Sequence, residues 1–187
     1  AEALDAAAEA VRIVPHPLIL EDFAKVAPAP RRAAFQGVSV FDFNSSLARK
    51  NPQGAIATWT RAFGDDPACE LTLKTQNGLE FPEALAALRQ AAPANVRVVD
   101  EVWPYAEVQS LIAGADVLVS LHRAEGFGLT PAEAMALGTP VLATAFSGVL
   151  DFMDEDCALM VPYTLAPVID PQDVYRDQSW AEPDIDA

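Results

Sequence analysis

The sequence predicts an α/β fold: an open, doubly wound, mostly parallel sheet of Rossmann-like type with helices on both faces. Three observations carry this expectation. Short β-type runs alternate with helical stretches from Phe35 to about residue 163, the rhythm of successive βαβ units. The runs are almost uninterruptedly apolar, as at Val117–Val119, which suits strands covered on both faces. The length of 187 residues, 51% of them apolar, suits one ordinary domain with a sizeable core.

The elements follow in order. Residues 1–34 read as a linker segment: an alanine-rich stretch, then "VRIVPHPLI" with one short strand, then a polar passage ending at "APAPRR". "GVSVFDF" (37–43) is the first strand of the main fold. "NPQGAIATWTRAF" (51–63) has helical spacing, with Asn51 as N-cap and Pro52 at the first helical position. "ELTLKT" (70–75), "VRVVDEV" (96–102), "DVLVSL" (116–121) and "PVLAT" (140–144) are further strands, and "ALMVPY" (158–163) is a candidate sixth. Between them "FPEALAALRQAA" (81–92), "YAEVQSLIAGA" (105–115) and "TPAEAMALG" (130–138) read as helices, the last ended by Gly138. The main α/β unit spans 35–169. From 170 to 187 acids and prolines dilute the apolar pattern, and this stretch reads as a solvated acidic tail.

Charge and cysteine content narrow the function. The formal charge of −15 would repel phosphates, so nucleic acid is not an expected partner. Cys69 and Cys157 are far apart and in no metal-like spacing, which suggests two free thiols in a reducing compartment. No signal-peptide pattern opens the sequence, and no apolar run is long enough to span a bilayer, so a soluble cytoplasmic protein is expected. His16 and His122 are the two histidines, too few with two cysteines for a zinc or iron centre. No serine stands in a nucleophile elbow.

In an open parallel sheet, ligands collect beyond the carboxyl ends of the strands, where the strand order reverses. The loops after residues 43, 75, 102, 121 and 144 should therefore share one edge. In "EGFGLTPAE" (125–133), Thr130 and Glu133 match a capping box, so Glu133 has a structural explanation ready. Glu125 has none. It follows a buried strand and precedes Gly126 and Gly128, which let a ligand approach the backbone closely. The N–H groups at the helix start, with the helix dipole, form an anion site. Backbone dipoles beside carboxylates suit a ligand with both phosphates and hydroxyls, such as a nucleotide sugar. In "SSLARKNP" (45–52), Arg49 and Lys50 stand just before a helix start, where cations are disfavoured. That placement suggests an anionic guest, against the plainer account of a solvated loop pair. Lys74, at the end of the second strand, is a weaker candidate for a phosphate or acceptor contact.

These motifs carry a resemblance. "SLHRAEGFGLTPAEAMALGTPVLAT" (120–144), with "FDFNSSLARKNPQGAIATWTRAF" upstream and "SGVLDFM" downstream, resembles the C-terminal, donor-binding domain of GT-B retaining glycosyltransferases, family 4 in particular. The resemblance covers most of residues 35–163 and implies one Rossmann-like half of a GT-B fold. It implies that Glu133 accepts hydrogen bonds from ribose hydroxyls and that Glu125 contacts the donor sugar, with Gly126, Phe127 and Gly128 closing on it. Leu129 and Thr130 would offer N–H groups to the diphosphate, which Lys50 and Arg49 would neutralise as it leaves. Many members place an arginine at the end of the first strand. Here Asn44, Ser45 and Ser46 stand there, so Ser45 falls in the donor site and Arg49 would reach back to do the arginine's work. Tyr105, with Asp100 and Val102, would border the nucleobase, and Ser147 and Gly148 the phosphate or sugar pocket. His122 could reach the site, or could equally be satisfied by a backbone carbonyl. The co-substrate implied is a nucleoside-diphosphate sugar, with no metal and no other cofactor. The implied partners are a missing N-terminal acceptor-binding domain and a glycan or lipid-linked acceptor. "VRIVPHPL" resembles the crossover into the second domain, and closing helices would follow "WAEPDIDA". The chain alone is thus expected to bind donor without turnover, and the full-length protein to work in the cytoplasm, peripherally at the inner face of a bacterial membrane, in surface-polysaccharide synthesis. The alternatives are a non-catalytic nucleotide-binding module, or another GT-B enzyme such as a nucleotide-sugar epimerase or a phosphorylase.

Overall fold

The computed structural model describes residue 14 and residues 16–30, 32–175 and 177–186. The strand expected within "VRIVPHPLI" lies partly outside these. The described residues there are not in a strand, and a one-turn helix α1 (Leu20–Phe23) follows.

Six parallel strands form the central sheet: β1 (Phe35–Val40), β2 (Cys69–Thr75), β3 (Val96–Asp100), β4 (Val117–Ser120), β5 (Val141–Thr144) and β6 (Leu159–Val161). Their spatial order is β3-β2-β1-β4-β5-β6, so the chain reverses direction of travel between β1 and β4, where Val38 pairs with Leu118. The carboxyl edge above that pair is where an open sheet of this kind leaves a crevice.

Helices cover both faces. On one face lie α3 (Pro52–Phe63) and α4 (Pro82–Ala91), whose Ile56, Trp59, Leu85 and Leu88 pack on Leu71, Leu73, Val117 and Val119. On the other lie α5 (Tyr105–Ala113) and α6 (Leu129–Ala136), whose Ile112 and Ala134 pack on Val38, Leu118, Val141 and Ala143. Each buried Leu, Ile or Val among these contributes roughly 1.5–3 kcal/mol. Gly37 has a packing reason: a Cβ there would stand 2.4 Å from the Trp59 ring. The N-terminus of α3 forms as its sequence predicts, with Pro52 in the first turn and the Asn51 side chain accepting from Gly54 N–H.

Three expectations are corrected. The first strand ends at Val40 and not at residue 43, because the Asp42 carboxylate accepts the Asn44 N–H and turns the chain into a 3₁₀ turn at Phe43–Ser45. Phe43 is nevertheless fully buried, so the apolar run outlasts the strand. Helix α6 starts at Leu129, with Gly128 as N-cap at φ 92°, and no side chain caps it. The Thr130–Glu133 capping box therefore does not form. Finally, the acidic stretch is not simply solvated. After β6 the chain forms β7 (Tyr163–Pro167), which pairs antiparallel with β8 (Ser179–Pro183), and Trp180 on β8 is buried. No helix among the described residues is long and apolar enough to cross a membrane.

Candidate functional site

A cleft of about 530 Å³ opens at the carboxyl edge of the sheet, between the ends of β1 and β2 and the starts of α5 and α6. Of the residues singled out from sequence, Ser45, Lys50, Phe127, Gly128, Leu129, Thr130, Glu125 and Glu133 line it, together with Lys74 and Tyr105.

Two of the lining residues, Glu125 and Lys50, belong to an ion triad whose third member, Arg49, stands behind the cleft wall without lining it. The Glu125 side chain, 9% exposed, accepts from Lys50 Nζ at 2.5 Å on one carboxylate oxygen and from Arg49 Nη1 at 3.1 Å on the other. Burial alone would raise the Glu125 carboxyl, but the Lys50 ammonium and the Arg49 guanidinium outweigh it and hold it below its ordinary value. Arg49 also donates to Ser45 O at 3.1 Å and Ala124 O at 2.8 Å, so its guanidinium bridges the turn after β1 and the loop after β4. The triad sets two cations against one carboxylate, with the Asp42 carboxylate on the same cleft close enough to feel the Lys50 charge. Leu129 and Thr130 line the same cleft, and as the first residues of α6 their N–H groups have no preceding turn to bond.

Local structure sets this geometry. Arg49 and Lys50 belong to the four-residue helix α2 (Leu47–Lys50), which is joined to α3 through Asn51 at φ 51°. The Asn51 side-chain amide donates to Leu121 O at 2.9 Å and ties this loop to the end of β4. The Glu125 loop is held from behind: its N–H donates to Ser147 Oγ at 2.8 Å, and its carbonyl accepts from Gly148 N at 3.1 Å. A Cβ on Gly148 would stand 2.1 Å from Gly126 O, so only glycine fits. Ser147 and Gly148 thus support the site without lining the cleft. Gly126 is exposed and does not line it either. Phe127 packs on Phe152, ring centroids 5.0 Å apart.

His122 lies behind the site, fully buried and outside the cleft lining. Its Nε2 is 3.2 Å from Phe146 O, and its Nδ1 is 3.1 Å from both Ser120 O and Ser120 Oγ. Burial lowers its pKa, which favours the neutral ring. A proton on Nε2 then donates to Phe146 O, while Nδ1 accepts from the Ser120 hydroxyl. Of its two readings, the histidine satisfied by a backbone carbonyl describes this geometry.

Glu133 faces the cleft from α6, where the Tyr105 hydroxyl donates to it at 2.6 Å. Burial raises both groups. For Tyr105, burial and then the Glu133 contact push the phenol up to about 12. Asp100 and Val102 do not line the cleft: the Asp100 carboxylate accepts from Gly78 N, and Val102 points to solvent. Lys74 lines it, but its ammonium is committed to Thr75 O at 2.9 Å and Glu101 O at 2.5 Å, below the Trp103 ring at 4.9 Å. Desolvation lowers its pKa, with Glu101 and Asp100 opposing.

Sequence reasoning missed Asp42, Gln76 and Trp103, all of which line the cleft. The Asp42 carboxylate accepts from Gln76 Nε2 at 2.7 Å and from Asn77 Nδ2 at 2.9 and 3.0 Å. Burial would raise it, but these bonds and the Asn44 N–H hold it below its ordinary value. The Asp42–Asn44 spacing is an Asx-turn signature and could have flagged it. No group of three or more His, Cys, Asp or Glu among the described residues stands where it could hold a metal ion.

The family model for "Glycosyl transferases group 1" matches residues 45–174. The lipopolysaccharide core biosynthesis mannosyltransferase LpsB of Rhizobium meliloti (strain 1021) is 49% identical over 49 residues, 25% of this chain and 14% of its own length. Among solved structures, trehalose-6-phosphate synthase OtsA aligns with TM-score 0.61 and 13% identity over 76% of this chain and 38% of its own. The C-terminal domain of the Francisella tularensis glycosyl transferase group 1 protein LpcC aligns with TM-score 0.58 and 21% identity over 75% of this chain and 78% of its own. The chain therefore spans well under half the length of LpsB and OtsA, and its six-stranded sheet has the Rossmann-like fold of GT-B glycosyltransferases. With more than two thirds of its residues matched by the family model, including most of those that line the cleft, the chain belongs to the group 1 glycosyltransferases.

Proposed function

We propose that this chain is the donor-binding half of a retaining glycosyltransferase that moves a sugar from a nucleoside diphosphate to an acceptor hydroxyl. The observation that carries the reading is the ion triad: Glu125 held between Lys50 and Arg49 at the start of α6, with Glu133 on the same cleft. A nucleoside-diphosphate sugar supplies a partner for each part. Its diphosphate would meet Lys50, Arg49 and the N–H groups of Leu129 and Thr130. Its sugar hydroxyls would meet Glu125, with Phe127 and Gly128 closing on the ring, and its ribose hydroxyls would displace the Tyr105 phenol from Glu133.

In this reading the bond from the anomeric carbon to the leaving phosphate breaks as a bond to the acceptor oxygen forms on the same face, and the acceptor's proton passes to the departing phosphate oxygen. Negative charge builds on the phosphate, and groups that bind it better as it grows lower the barrier. The two cations and the helix start provide that neutralisation, so no metal is invoked. Arg49 and Lys50 are partly neutralised by Glu125, whose carboxylate holds both side chains in one place.

An acceptor-binding domain would complete the enzyme. The likeness to an isolated C-terminal domain supports that division, and the chain alone is expected to bind donor without turning it over. The match to a lipopolysaccharide mannosyltransferase supports a glycan or lipid-linked acceptor and surface-polysaccharide assembly at the cytoplasmic face of a membrane. The test is a thermal-shift and calorimetric panel of UDP-, GDP-, ADP- and dTDP-sugars. A ligand at 100 times its dissociation constant adds about 2.7 kcal/mol of stability. No shift and no heat with any of the four would reject the donor site.

A further inference from the structure

The segment that reads as an acidic tail has a specific set of contacts, and they converge on the basic loop of the cleft. The Gln172 side chain accepts from Leu47 N at 2.9 Å and donates to Phe43 O at 3.1 Å. The Asp170 carboxylate accepts from Ser46 Oγ at 3.0 Å. Arg123 donates through Nε and Nη2 to both oxygens of Glu182 on β8, at 2.6 and 2.9 Å, and through Nη1 to Ala48 O at 2.7 Å. Its backbone N–H donates to Arg49 O, its carbonyl accepts from Ala181 N, and its guanidinium lies 5.5 Å from the Trp180 ring.

A four-residue helix cannot hold itself together, because fixing its first turn costs more than its few hydrogen bonds return. Ser46, at its N-cap, also has a φ of 61°, a conformation that persists only where the surroundings impose it. Yet this short helix must present Arg49 and Lys50 to Glu125. We infer that the 170–172 turn and the β7–β8 hairpin form a brace for the basic loop, with Gln172 and Arg123 as positioning residues of the donor site. Gln172 supplies the cap that the first N–H of α2 lacks, and Arg123 pins the loop to β8 while sitting two residues before Glu125. One brace thereby sets both halves of the ion triad. The inference rests on the donor-site reading for its consequence in binding, though not for the brace itself.

The test uses the whole chain with Gln172→Ala and Glu182→Gln, each titrated with UDP, UMP, GDP and GMP. Neither residue lines the cleft. A brace that aims the cations predicts that affinity for the diphosphate falls about tenfold, the worth of one well-placed charge-assisted bond. Affinity for the monophosphate should fall far less, so the ratio of the two drops. A merely structural role would lower the melting temperature and leave that ratio alone, and an unchanged ratio overturns the inference. Amide hydrogen exchange is the second readout: residues 47–51 should lose protection in both variants while β1 and β4 keep theirs. If the wild-type chain binds none of the four nucleotides, the donor reading fails, and the brace then stands or falls on exchange alone.

Discussion

Replacing Glu125 by glutamine keeps its size and one acceptor oxygen but removes the charge between Lys50 and Arg49. The amide nitrogen would then face a cation, donor against donor. Breaking a buried ion pair from one side typically costs 3–5 kcal/mol, because the remaining charge is left uncompensated. Here the Lys50 and Arg49 side chains keep 18% and 13% exposure, and Arg49 keeps two carbonyl acceptors, so the lower end of about 3 kcal/mol applies. For a domain of this size each kcal/mol moves the melting temperature by about 2–4 °C, so Glu125→Gln should melt roughly 6–12 °C lower at pH 7. The pH dependence has a definite sign. The Glu125 pKa is depressed in the folded chain, so its stabilisation is present above the ordinary value of 4.5 and fades as pH falls through the folded value. The gap between wild type and variant should therefore narrow below pH 4.5. Thermal melts of both proteins at neutral and acidic pH measure this. A variant melting within roughly 2 °C of wild type at pH 7, or a gap that does not change with pH, would refute the reasoning.

Other perturbations test other parts. Lys50→Ala should weaken nucleoside-diphosphate binding about ten- to a hundredfold, the value of one charge-assisted bond of roughly 1.5–3 kcal/mol, and unchanged calorimetric affinity would exclude Lys50 from the diphosphate site. Gly148→Ala would place its Cβ 2.1 Å from Gly126 O, so the Glu125 loop must shift at a cost of about 1–3 kcal/mol, and an unaltered denaturant midpoint would contradict the close approach. The His122 pKa lies below its ordinary 6.5, so the folded chain binds fewer protons there and stability should fall as pH drops from 6.5 towards the folded value. That component should be absent from His122→Gln in a pH series of unfolding curves; identical slopes for the two proteins would show that His122 is protonated as readily in the folded state.

Much of the fold was legible because it rests on short-range patterns. Asn51 and Pro52 mark the start of α3, Gly138 marks the end of α6 at φ 76°, and the apolar runs mark strands buried on both faces. Glu125 stood out because it lacked a local task, whereas the placement argument for Arg49 and Lys50 did not hold: residues 47–50 form α2, and a cation in its last turn is favoured. The capping box misled, because its pattern is complete in sequence yet Glu133 is taken by Tyr105, 28 positions away. The acidic tail misled in the same manner. Its acids and prolines look solvated in isolation, but Asp170 finds Ser46 at a separation of 124 residues, and Glu182 finds Arg123 at 59.

By itself, then, the sequence determined the α/β class, the order of helices and strands, and which charged residues had no partner close by in the chain. Tertiary structure decided which partner each of those charges takes. Backbone propensity and apolar periodicity act over a few neighbouring residues and are written locally. A carboxylate or guanidinium, by contrast, bonds to whichever donor or acceptor the folded chain brings within 3 Å or so, and that choice exists only once distant segments have packed.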